Sequence, residues 1–102
     1  PLAAAPRARR VLPDADRVLA RLRALRPFGL QPSGGLSRLG FSEADRDARV
    51  LVSQWMRDAG LTPRTDVAGN LIGSRAGQRD LPPLLLGSHI DSVPDGGHYD
   101  GQ

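Results

Sequence analysis

The chain has 102 residues, room for one small domain, and its 39% apolar, 25% charged and 4% aromatic content suits a soluble globular segment rather than a disordered one. No apolar run nears the roughly 18–20 residues of a membrane span, and the absence of cysteine excludes disulfides, thiolate zinc sites and cysteine nucleophiles. The net charge is +3, all 14 basic residues are arginines spread along the sequence, and the aromatics Phe28, Phe41, Trp55 and Tyr99 have no basic cluster around them, so no nucleic-acid-binding stripe is present.

Residues 1–13 read as a flexible N-terminal tail, rich in Ala, Pro and Arg over 1–12, without the serines or the apolar core of a targeting peptide. A first helix is predicted from about Asp14 to Arg26. Asp14 or Asp16 caps its start, Val18, Leu19, Leu22 and Leu25 form one face, and Pro27 ends it. Residues 27–40 hold four glycines and two prolines and read as a loop. A second helix follows Ser42, with Glu43 and Asp45 in its first turn. Ala48, Leu51, Val52, Trp55 and Ala59 make an apolar stripe, and Gly60 stops it. Leu61–Asp66 and Asn70–Arg75 are predicted to pair as a hairpin around Val67-Ala68-Gly69. After a polar loop over 76–83, Leu84–Ile90 reads as a buried strand. Helices followed by strands, the last of them buried, predict an α/β layered fold.

The chemistry concentrates in GSHIDSVPDGGHYDG, residues 87–101, with two histidines and three aspartates. In a strand, His89 and Asp91 point to the same side. A metal-ligating imidazole needs an acceptor for its second nitrogen, commonly a carboxylate. Asp100 follows a loop of Gly and Pro that can fold back towards His89, and a carboxylate can bridge two cations. Such a mix of O and N ligands suits a dinuclear hydrolase. The same residues also read as a core histidine, turn chemistry at Asp95-Gly96-Gly97 and an exposed loop histidine at His98. Ser88 and Ser92 make no nucleophilic triad, and no phosphate-binding glycine fingerprint is present.

This segment resembles the first metal-binding segment of the hydantoinase/carbamoylase family of amidohydrolases. LSRLGFS (36–42), RVLVSQWMRDAGL (49–61) and DVAGNLIGSRAG (66–77) are similar to that family's N-terminal region, in the same order, so the likeness covers residues 14–102. The family includes N-carbamoyl-L-amino-acid hydrolases, beta-ureidopropionase-type enzymes and allantoate amidohydrolases, within the wider aminoacylase- and carboxypeptidase-like metallohydrolases. The resemblance implies the N-terminal, incomplete portion of a zinc-exopeptidase-like catalytic domain, α/β, with a mixed sheet flanked by helices. It implies two divalent metal ions, zinc foremost, with manganese, nickel or cobalt accepted. His89 is then a ligand of one metal, Asp91 the acidic neighbour that orients the imidazole, and Asp100 the bridging carboxylate.

The implied reaction is hydrolysis of the C–N bond of a small carbamoyl or ureido substrate, N-carbamoyl-L-amino acids or allantoate. An aminoacylase- or peptidase-type zinc hydrolase is the near alternative, and an inactive truncated product is the alternative of another class. The family's general base and its remaining ligands, a glutamate pair and further histidines, have no counterpart here, because Glu43 is the only glutamate and lies at a helix start. With Pro1 rather than Met at its start and Gln102 just past the motif, the chain reads as a piece of a longer protein. That whole protein is expected to be a cytoplasmic homodimer without nucleic-acid or membrane partners, and the chain alone is expected to be inactive.

Overall fold

The computed structural model describes residues 10–100; most of the tail expected over 1–13, and Gly101 at the end of the motif, lie outside the described residues. Helix α1 runs Ala15–Leu25. Asp14 is its N-cap, its carboxylate accepting the Arg17 N–H at 3.1 Å, while Asp16 sits in the positive first turn. The expected apolar face is covered only at its C-terminal end. Leu25 is buried and Leu22 half-buried, but Val18 and Leu19 are 46% and 40% exposed, because no described element packs over the first turns. The Arg21 guanidinium lies over the Trp55 ring, 5.3 Å from its centroid. Such a cation–π contact contributes roughly 0.5–1 kcal/mol at an exposed site.

Helix α2 runs Glu43–Asp58. Ser42 Oγ accepts the Asp45 N–H at 3.2 Å, and the Asp45 carboxylate reaches back to accept the Phe41 N–H at 3.0 Å. This reciprocal cap serves one N–H that the first turn leaves free, that of Asp45, and the N–H of the residue before the cap. It also holds Phe41 at φ 64, a left-handed backbone that a bulky residue adopts only when its surroundings impose it. At the other end Gly60, at φ 79, donates to Arg57 O (2.9 Å) and Leu61 donates to Met56 O (2.8 Å). That is the paired closure that a C-terminal glycine permits. Along the stripe Ala48 is fully buried, Leu51, Val52 and Trp55 are half-buried, and Ala59 is exposed.

Strands β1 (Thr62–Thr65) and β2 (Leu71–Ser74) pair antiparallel, Thr62 opposite Ser74 and Thr65 opposite Leu71, slightly shorter than the expected hairpin. Asp66 builds the turn. Its carboxylate accepts the N–H groups of Ala68 (3.0 Å) and Asn70 (2.8 Å) and the Asn70 side-chain amide (2.9 Å). The hairpin lies on α2 where Gly73 has no side chain: a Cβ there would stand 2.9 Å from Met56 Sδ. Arg49 of α2 clamps the turn by donating to Gly69 O at 2.6 Å.

The buried strand expected over Leu84–Ile90 is not formed. The segment is irregular, and Leu84, Leu85 and Leu86 are 88%, 85% and 85% exposed. A strand needs a neighbour to take its N–H and C=O groups, and none of the described residues pairs with this run. The sheet among the described residues is two-stranded and antiparallel. The Cα radius of gyration, 17.5 Å, exceeds the ~13 Å of a compact chain this long. No helix among the described residues is long and apolar enough to cross a membrane.

Two outcomes follow from this packing. Hydrogen bonds from Asn70, chiefly from its side-chain amide, hold the Asp66 carboxyl below its ordinary pKa. A depressed carboxylate stabilises the fold above its unfolded value of about 3.9 and loses that contribution as pH falls through its lower folded value. The Asn70 amide shift should therefore titrate with a midpoint below 3.9, and Asp66→Asn should remove that step; a midpoint at or above the ordinary value contradicts the turn described here. The open leucine run should make the 102-residue chain bind a hydrophobic dye and self-associate, and Leu85→Glu should relieve both. A soluble monomer with a sharp, reversible unfolding transition is the contrary result.

Candidate metal-ligating site

The motif segment is held by a loop rather than by a sheet. Leu36, 1% exposed, exchanges both backbone hydrogen bonds with Gly96, at 2.9 and 2.8 Å. Two residues on, Arg38 is fully buried and grips residues 90–92 from both sides. Its backbone N–H donates to Ser92 Oγ (2.9 Å) and its carbonyl accepts the Ser92 N–H (2.7 Å). Its Nε donates to Ile90 O at 2.6 Å, and its Nη1 donates to Leu25 O (2.7 Å) and Phe28 O (2.9 Å). Nη2 is left without a protein partner among the described residues. Burial lowers the Arg38 pKa, while the Asp45 and Asp91 carboxylates favour its charged form. Ser92, also buried, directs its hydroxyl at Leu36 O (3.1 Å) and Val93 O (2.9 Å).

Between these anchors stand the candidate residues. His89 Nδ1 lies 3.0 Å from Asp91 Oδ1 and 3.1 Å from the Asp91 carbonyl oxygen. Both neighbours are acceptors, so Nδ1 carries the proton and donates to them, and the Nε2 lone pair is left free. The two side chains are 56% and 48% exposed, open to a ligand while the backbone on their C-terminal side is locked. They line a cleft of about 420 Å³ with Gly40, Phe41, Arg49 and Asn70, between the α2 start and the hairpin turn.

The structure brings His89 and Asp91 together, as the His-x-Asp spacing predicts, although in an irregular segment instead of a strand. Asp100 is exposed, its N–H donating to Gly97 O at 3.3 Å. No group of three ligating side chains comes together among the described residues. Asp95 occupies a turn at φ 51, and its carboxylate accepts the Ser33 hydroxyl, while its N–H donates to Ser37 Oγ (2.8 Å). His98, expected as an exposed loop residue, is half-buried and donates from Nε2 to Gly34 O at 2.6 Å. Sequence reasoning missed Arg38, Ser92 and Phe41. One local signal marks Arg38, an arginine set between Leu36 and Leu39 in a loop otherwise without charge; Ser92 carries none.

No protein-family model matches the chain. An N-carbamoyl-L-amino acid amidohydrolase of Geobacillus stearothermophilus is 48% identical over 87 residues, 84% of this chain and 21% of that protein. An allantoate amidohydrolase of Bacillus subtilis is 37% identical over 78 residues, 76% of this chain and 19% of that protein. The solved structure of a hydantoinase/carbamoylase family amidase from Burkholderia ambifaria superposes with a TM-score of 0.81 at 42% identity, over 86% of this chain and 22% of that one. The chain thus spans about a fifth of the length of the curated relatives it matches. Across this stretch the chain is similar, in both sequence and backbone, to proteins of the hydantoinase/carbamoylase family.

Proposed function

We propose that the chain supplies the first metal-ligating segment of a metal-dependent amidohydrolase that cleaves the C–N bond of a carbamoyl or ureido group, with N-carbamoyl-L-amino acids or allantoate as substrate. The observation that carries this reading is the His89–Asp91 pair: a carboxylate 3.0 Å from Nδ1 leaves Nε2 as a free, exposed donor. A carboxylate behind the imidazole is the usual companion of a ligating histidine, because it sets the tautomer and raises the basicity of the ligand. The donor set fits one ligand with its support, not a complete shell. In the whole protein His89 and Asp100 would each contribute a ligand to a pair of divalent ions, zinc foremost and manganese, nickel or cobalt as substitutes. Bound there, the ions would supply Lewis acidity towards a carbonyl and a water.

The work of this chain's own residues is positional. Asp91 holds the proton on Nδ1 and aims the ring. Gly40, Phe41, Arg49 and Asn70 shape the wall of the cleft beside it. In the whole protein, the exposed leucine run 84–86 would enter a mixed sheet of a zinc-exopeptidase-like α/β domain, which would give those backbone groups their partners. We further infer a cytoplasmic homodimer for that protein, and no turnover by the 102-residue chain in isolation, since the other ligands and a general base are not among its residues.

The protein, purified as its gene encodes it, should carry about two zinc-type ions per chain, as two-metal hydrolases do, and should release the product of carbamoyl cleavage from N-carbamoyl-L-amino acids or allantoate. His89→Ala should abolish turnover and lower the bound metal. Asp91→Asn should weaken metal affinity or activity by about 10–100-fold. Full activity in His89→Ala, or a metal-free protein active on these substrates, overturns the reading; activity confined to N-acyl amino acids or peptides moves it to the aminoacylase-type alternative.

A further inference from the structure

We propose that Arg38 is a positioning residue for the candidate site, acting through the backbone of residues 90–92 to set how the Asp91 carboxylate meets the His89 ring. The inference rests on the functional reading above for its catalytic consequence, but its geometry stands independently. Arg38 is fully buried, makes no hydrogen bond to His89 or to the Asp91 side chain, and commits its five hydrogen bonds to the residues flanking Asp91, to the end of α1 and to the turn after it. Nε fixes the carbonyl of Ile90 on one side of Asp91, and the Arg38 main chain fixes both Ser92 N–H and Ser92 Oγ on the other. The backbone on either side of Asp91 is therefore pinned to one residue.

Asp91 then has little freedom in where its Cβ points. Its Oδ1 meets Nδ1 of His89 at 3.0 Å, and its Oδ2 faces Gly40, where a Cβ would stand 3.7 Å away. The grip is chemically specific. A guanidinium presents a rigid fork of five donors, which reaches carbonyls on three separate segments at once. A lysine in its place keeps the positive charge but has a single nitrogen, which cannot reproduce the separate Nε and Nη1 contacts. The segment holding Asp91 would still be attached through the main-chain pairing with Ser92, but its Ile90 end would be released.

The test uses the protein as its gene encodes it, with Arg38→Lys and, as a milder second variant, Ser92→Ala. The expected result for Arg38→Lys is a fold retained by circular dichroism, zinc affinity weakened by about 10–100-fold as for other supporting residues of metal ligands, and kcat lowered with KM little changed. The metal-free protein gives a readout separate from activity: the ring-nitrogen NMR shifts of His89 should show one tautomer, protonated at Nδ1, in the wild type and a mixture in Arg38→Lys. Because Arg38 acts through Asp91, the double variant with Asp91→Asn should be no worse than Asp91→Asn alone. Ser92→Ala should move each readout in the same direction by less, and it decides the matter if Arg38→Lys does not fold. Unchanged tautomer, metal affinity and kcat in a folded variant, or losses that add to those of Asp91→Asn, overturn the proposal. A wild type without metal or turnover sinks the functional reading alone, and the tautomer comparison still decides the positioning role.

Discussion

A guanidinium with no exposed surface must find its hydrogen bonds inside the protein, and Arg38 finds them on three carbonyls from three segments: the end of α1, the turn after it, and the motif at Ile90. Desolvating a charge is costly unless it is met by such acceptors. Once met, the arrangement is demanding: loss of the guanidinium would take a donor from all three carbonyls, and loss of any one segment would leave part of the guanidinium bare. The tie between helix α1, the glycine-rich loop and residues 90–92 is a consequence of that mutual requirement. Hydrophobic packing has a smaller part in it, since Leu25, Leu36 and Ala48 are the buried apolar side chains among the described residues.

The second unit, α2 with the hairpin, is built mainly from local terms. Ser42 and Asp45 close one end of the helix, Gly60 and Leu61 the other, and the Asp66–Asn70 turn folds its own backbone around one carboxylate. The close approach of Met56 to Gly73 and the Arg49 bond to Gly69 O then fasten the two together. The cleft lies where this unit meets the arginine-held segment. Its wall therefore combines a rigid helix start, bearing the strained Phe41, with a motif whose backbone is pinned at Ile90 and Ser92 but whose side chains remain open.

This division accounts for the electrostatics of the pair. Ser92 is buried and fully engaged, whereas His89 and Asp91, one to three residues away, are about half exposed. A histidine held by a carboxylate at an accessible position keeps a free nitrogen for a ligand, whereas the same pair sunk in the interior would need a hydrogen-bond donor for the lone pair of its second nitrogen. The resemblance to a solved family amidase over 86% of the chain shows that this backbone arrangement recurs in a protein about four times as long.

Both helices, the hairpin and the meeting of His89 with Asp91 were legible in the sequence, because each depends on residues within a few positions of one another: an N-cap and its recipient N–H, a glycine after a helix, a carboxylate two residues from an imidazole. The leucines at 84–86 were not, since an apolar run announces a need for burial but not the partner that meets it, and here no described residue does. The role of Arg38 was hidden for the same reason, although its place in an otherwise uncharged loop is a local signal. Its contacts to Ile90 and Ser92 span 52 and 54 residues, and a buried arginine looks like any other in a chain that carries 14. The sequence by itself determined the local elements and which side chains can do chemistry. Only the tertiary structure decided which loop holds them and in what direction, because hydrogen-bond partners for a buried charge are chosen by proximity in space, not along the chain.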